Sequence, residues 1–194
     1  MERAVLLIDG GYFDQVKRSF GIARIDYTKM GDELVQPCER FRSYYYHALP
    51  YVDHRNPEPA DLQMRAERQR FFDGLSYLNR CEVKLGTLQR YMTFDQGGNR
   101  IVRHRQKLVD VLLSIDLVKL SWSRQIAMAV LLAGDSDFVP AVQAAKEAGV
   151  PIRLVFAERP GCFVHPQIKK VCDERVALTE AHMGRWALQG STPV

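Results

Sequence analysis

The chain has 194 residues, of which 46% are hydrophobic. That suits one folded domain with a full core and excludes a disordered or low-complexity polymer. The formal charge of +4 is a mild basicity, which points to a nucleic-acid partner only where it is clustered.

Residues 4–8 (Ala-Val-Leu-Leu-Ile) form a continuous apolar run closed by Asp9-Gly10-Gly11, the pattern of a strand buried on both faces. No charged segment with a long apolar stretch precedes it, and no run approaches bilayer length, so a soluble cytoplasmic protein is expected. Cys38, Cys81, Cys162 and Cys172 form no Cys-x-x-Cys pair, which favours free thiols in a reducing cytosol over a zinc site.

Helices are predicted over 12–20 and 26–35. A strand follows over 41–49, with Tyr44, Tyr45 and Tyr46 alternating between core and surface. The segment 50–59 holds Pro50, Pro57 and Pro59 and reads as a loop. Apolar residues at helical spacing predict a helix over 60–78, with Arg65, Arg68 and Arg70 on its solvated face. A hairpin is expected from strands at 82–92 and 100–105 around Asp95-Gln96-Gly97-Gly98-Asn99. Further along, the pattern predicts helices at 107–120, 138–148 and 166–172, and strands at 126–133, 152–156 and 176–178. Alternating strands and helices imply an α/β domain with a mostly parallel sheet flanked by helices. One domain over 1–183 and a tail over 184–194 are expected.

Two of the buried strands end alike, at Asp9-Gly10-Gly11 and at Gly134-Asp135-Ser136-Asp137. In open parallel sheets ligands sit beyond the carboxyl ends of the strands, so Asp9 and Asp135 converge if their strands are neighbours. The helix opening at Lys107-Leu108-Val109-Asp110 offers a third acid, with Lys107 and Asp110 on one face. Crowded carboxylates stay ionised more easily around a divalent cation, and oxygen-only ligands suit Mg²⁺ or Mn²⁺. Taken singly, each aspartate is equally well a turn residue, a helix cap or a first-turn acid. Asp116, six residues beyond Asp110, sits well round the helix and is read as standing behind the ligands or in a salt bridge.

In this order, Leu7-Ile8-Asp9-Gly10-Gly11-Tyr12-Phe13, Lys107-Leu108-Val109-Asp110 with Asp116, and Ala133-Gly134-Asp135-Ser136-Asp137-Phe138 resemble the NYN domains of the PIN-like nuclease superfamily. Within it, the LabA-like (DUF88) group is the nearest in pattern. The resemblance implies a PIN-like three-layer α/β sandwich and metal-dependent cleavage of RNA. Carried over by residue, it implies that Asp9, Asp110, Asp135 and Asp137 are catalytic and hold Mg²⁺ or Mn²⁺, with Asp116 and Ser136 behind them. It also implies a homodimer. Two positions depart from the pattern. Tyr12 stands where many members have Asn, and Leu108 stands where many have Gly.

The densest basic run is Arg100-Ile101-Val102-Arg103-His104-Arg105-Gln106-Lys107. It lies just before Asp110, so Arg100, Arg103, Arg105 and Lys107 are the expected phosphate contacts to RNA. A solvated charged hairpin explains the run equally well. His104 is a candidate proton carrier, and Asp53-His54-Arg55 lies in a loop long enough to approach the acids. Two other readings compete with a ribonuclease. One is a non-catalytic module that binds RNA or a protein. The other is a phosphatase, which would want an Asp-x-Asp pair in the first strand, where the chain has Asp9-Gly10-Gly11.

Overall fold

The computed structural model describes residues 2–53, 55–94, 97 and 100–188, with all their side chains except those of 88–92, 94 and 100–107. The elements run β1 (Arg3–Asp9), α1 (Gly10–Ser19), α2 (Tyr27–Leu34), β2 (Glu39–Ala48), α3 (Pro59–Ser76), β3 (Cys81–Phe94), β4 (Arg100–Lys107), α4 (Val109–Trp122), β5 (Met128–Leu132), α5 (Val139–Glu147), β6 (Ile152–Phe156), α6 (Pro166–Val171), β7 (Glu174–Ala177) and α7 (Glu180–Trp186). A single 3₁₀ turn at Ser136–Phe138 leads into α5.

All seven strands form one sheet in the order β4-β3-β2-β1-β5-β6-β7. Six are parallel, and β4 returns antiparallel to β3 along the edge, pairing from Thr87↔Lys107 to Phe94↔Arg100. Helices cover both faces, which makes the expected three-layer sandwich. No helix of the described residues is long and apolar enough to cross a membrane.

The central strands are apolar because neither face meets water. Ala4 to Leu7 of β1 and Ala129 to Leu132 of β5 are fully buried. For the same reason the tyrosines of β2 do not alternate between core and surface. Tyr44, Tyr45 and Tyr46 are all buried, because their alternate sides face different helical layers. Tyr45 packs edge-on against Tyr27 of α2 and Phe71 of α3, whereas the Tyr46 hydroxyl donates to Asp116 of α4 at 2.8 Å.

The expected helix at 107–120 starts two residues late. Lys107 ends β4 instead of sharing a helix face with Asp110, because Leu108 takes a left-handed conformation (φ 73°) that breaks the strand from the helix. A β-carbon makes that conformation cost about 1 kcal/mol or more. Leu108 is half exposed and gives back little packing. Leu108→Gly is therefore expected to stabilise the protein by about 0.5–1 kcal/mol, a rise of about 2 °C in melting temperature. A thermal melt that falls instead would show that the Leu108 side chain holds more than its backbone costs.

The packed body also continues past residue 183. Trp186 at the end of α7 is fully buried, its indole Nε1 donates to Glu33 at 2.7 Å, and Ala187 bridges to Ile25. Arg185 adds an ion pair to the same Glu33. The four cysteines are free thiols.

Candidate acidic active site

The strand order turns back beside β1, with β2 on one side and β5 on the other. That reversal opens a crevice at the carboxyl ends of the strands. Ile8 pairs with Leu132, so Asp9 lies one residue beyond the ladder on β1 and Asp135 three residues beyond it after β5. Asp9 caps α1 by accepting the Tyr12 N–H at 3.1 Å. Asp135 caps the 3₁₀ turn by accepting the Asp137 N–H at 3.0 Å. Asp110 occupies the first turn of α4. All three carboxylates line one cavity of about 610 Å³. Asp9 and Asp135 thus each cap a turn and line the cavity at once.

Two glycines make the crevice possible. A β-carbon on Gly134 would stand 2.4 Å from the Phe163 carbonyl oxygen and 2.7 Å from the Tyr12 ring. One on Gly10 would stand 2.6 Å from His47 and 2.7 Å from Tyr45. Backbone and rings pack where any side chain would push them apart. Tyr12, where the resemblance leads one to expect Asn, is buried against this floor. Its hydroxyl accepts the Ala157 N–H at 3.1 Å, and burial pushes its pKa up to about 12. It braces the end of β6 and offers the cavity a ring wall.

The other expected residues are not brought together here. Asp137 and Ser136 do not line the cavity. The 3₁₀ turn leaves Asp137 exposed, where its backbone N–H serves Asp135. Asp116 belongs to a separate cavity of about 420 Å³. There it pairs with Lys84 at 2.6 Å and accepts from Tyr46, the salt-bridge alternative of the sequence reading. Six residues along a helix leave two side chains about 120° apart round the axis, so Asp110 and Asp116 do not share one face. Arg100, Arg103, His104, Arg105 and Lys107 sit on β4, but their side chains lie outside the described residues, as does His54.

Several cavity residues escaped the sequence. Asp14, one turn into α1, lines it together with His47 of β2. Burial would raise the Asp14 carboxyl. Contacts from His47 (3.2 Å), Lys17 (2.9 Å) and Arg68 (2.8 Å) outweigh that and hold it well below the usual carboxylate range. Arg68 is thus drawn inward from what looked like a solvated helix face, because α3 packs beside α1. The only sequence signal was Asp14 and Lys17 at helical spacing. Arg18, Phe163 and His165 complete the rim.

The balance of charge divides the cavity in two. Asp14 meets the His47 ring and is countered by the cations Lys17 and Arg68. Asp9 is not: burial, reinforced by the negative charge of Asp110, raises its pKa from 3.8 to about 6 despite the Tyr12 amide. A half-buried carboxylate beside two others is the situation a hard cation relieves, and an all-oxygen set fits Mg²⁺ or Mn²⁺. Among the described residues no three acidic, histidine or cysteine side chains converge tightly enough to grip an ion between them. The set therefore fits a cation that relies on one or two carboxylates and retains its own waters, as Mg²⁺ does.

A family model described as NYN domain matches residues 3–179. Among solved structures, a protein of unknown function from Vibrio parahaemolyticus is similar over 96% of both chains, with 14% identity and a TM-score of 0.58. That likeness supports the fold. A Burkholderia thailandensis nucleoside kinase in complex with inosine overlaps 90% of this chain and 60% of its own, at 10% identity and a TM-score of 0.36, too loosely to bear on function. No curated protein matches the sequence.

Proposed function

The chain belongs to the NYN domain family, a group with a nuclease-like PIN-type fold, and from that premise we propose that it is a metal-dependent endoribonuclease whose site is built on Asp9, Asp110 and Asp135. The observation that carries this reading is the convergence of these three carboxylates, from two strand ends and a helix start, on one cavity. Motifs around Asp9, Asp110 and Asp135 favour the LabA-like (DUF88) group within the family.

A bound Mg²⁺ or Mn²⁺ would neutralise charge on a phosphoryl oxygen and lower the pKa of a water. The chain's own part is to place the groups. Asp9 and Asp135 are fixed by their capping bonds to Tyr12 and Asp137, so their free oxygens keep a set direction. Asp110 adds negative charge from the start of α4. Asp14, tied to His47, Lys17 and Arg68, orders the α1 side of the wall. The RNA backbone would be met by Arg100, Arg103, Arg105 and Lys107 on β4, the edge strand that leads through Leu108 and Val109 into Asp110.

Labelled RNA incubated with the protein is expected to be cut in Mn²⁺ or Mg²⁺ and left intact when a chelator is present. Cutting that persists in chelator would sink the metal site. The separation of the carboxylates favours a second reading, a module that binds RNA without cutting it. Retention of intact RNA in every metal would establish that one instead.

A further inference from the structure

We propose that Phe163 is the platform on which an unpaired nucleobase stacks beside the acidic cluster, making the site selective for single-stranded over duplex RNA. This rests on the nucleic-acid reading of the cavity but not on turnover.

Exposed aromatic rings are ordinary when scattered, and Tyr77 and Trp122 are exposed as well. Phe163 differs in its place. It is 70% exposed and yet lines the cavity that holds Asp9, Asp110 and Asp135, which neither of the other two does. Its exposure is also a fixed one. The turn before it is closed by the Cys162 N–H donating to the Arg159 carbonyl at 2.9 Å. The Cys162 thiol meets Ser19 of α1 at 3.3 Å. After it, the His165 N–H donates to the Gly134 carbonyl at 2.9 Å. The His165 ring stands edge-on to Phe163, 6.2 Å between centroids and 80° between planes. The backbone on both sides of the ring is therefore held, on the far side to the residue that immediately precedes Asp135.

The surroundings select the ligand. An aliphatic side chain from a protein partner would find only the Phe163 and Tyr12 rings among Asp9, Asp110, Asp135, Arg18 and Gln15. A base presents a π face to the ring and polar edges to such walls. Arg18 lies on the same rim, and the only hydrogen bond of its side chain among the described residues runs from Nε to the Asp14 carbonyl. Its terminal nitrogens are thus placed for a neighbouring phosphate. A base inside a duplex stack cannot lay its face on Phe163, so only unpaired nucleotides benefit.

The test is fluorescence anisotropy of a labelled oligouridylate, in an Asp135→Asn background that leaves the RNA uncut. Phe163→Ala is expected to weaken binding about tenfold or more, the usual loss for one stacked base, and Phe163→Trp to restore it. One abasic position in the oligonucleotide should weaken the parent to the level of Phe163→Ala and add nothing further to that variant. A duplex should bind equally with and without the ring. Single-strand binding that is unchanged by Phe163→Ala, a duplex that loses as much as the single strand, or no binding of any oligonucleotide would each overturn the proposal. The two readings fail separately. A wild-type chain that never cuts but shows this ring dependence loses the nuclease and keeps the platform. One that cuts with a KM indifferent to Phe163→Ala does the reverse.

Discussion

Asp135→Asn is expected to reduce Mn²⁺-dependent RNA cleavage by about a thousandfold while leaving the fold in place. A metal ion supplies several kcal/mol of stabilisation to the charge that develops on a phosphoryl group, and each 1.36 kcal/mol is a factor of ten in rate. A cation that relies on one or two carboxylates forfeits much of that when one is removed. The structural side of the substitution is nearly neutral. Asp135 is exposed, and the one hydrogen bond of its side chain among the described residues, from the Asp137 N–H, passes unchanged to an asparagine oxygen, which caps as well as a carboxylate. Activity and stability are therefore separable at this position. Single-turnover cleavage and a thermal melt on the same preparation check both. A variant that cuts at the wild-type rate removes Asp135 from the site, whatever the melt shows.

Asp9→Asn should move activity and stability in opposite directions. Cleavage falls for the same reason as at Asp135. Stability of the metal-free protein rises, because at neutral pH the wild type holds an ionised carboxylate where burial and Asp110 disfavour it. The folded pKa of about 6 lies above the ordinary 3.8, so the folded state binds the proton more tightly than the unfolded state does. The penalty is present in full above about pH 6 and fades as pH falls toward 4, where both states are protonated. Two pH units correspond to about 3 kcal/mol. An asparagine must also be desolvated, so a net gain of about 1–2 kcal/mol is expected at pH 7, or about 3–6 °C. The gain should shrink on going to pH 4. Added Mn²⁺ should reverse the order, because an ion that binds the folded wild type more tightly raises its stability more. Equal melts in chelator, with equal shifts on adding Mn²⁺, would refute both the strained carboxylate and the metal that relieves it.

Much of this site was legible because it is written at element ends. Asp9 and Asp135 follow unbroken apolar runs, and such runs are forced on strands covered on both faces. Once the runs are read as neighbours in a parallel sheet, their terminal acids fall on one rim. Asp110 was legible as a helix-start acid, although the helix begins two residues later than the pattern suggests, since nothing in Lys107-Leu108 announces a left-handed residue. Asp137 lies off the cavity, because spacing along the chain says nothing about which way a 3₁₀ turn rotates, and of the two places read for Asp116 the structure holds the salt bridge. Asp116 is engaged by Lys84 and Tyr46, partners far away in sequence. Asp14, His47, Arg68 and Phe163 were missed for the mirror-image reason. Each is an unremarkable residue in its own element, and only the packing of α1 against β2 and α3, or of the loop after β6 against Gly134, gives it a role.

The pairing of Ile8 with Leu132 also carries a kinetic consequence. The two strands that deliver Asp9 and Asp135 lie most of the chain apart. Closing so long a loop is entropically slow compared with forming the local β1–β2 and β3–β4 pairs. Half-folded chains can therefore hold hairpin and helices without any assembled acid cluster. A chain emerging from synthesis would bring Asp9 and Asp135 to one rim only after β5 has docked beside β1.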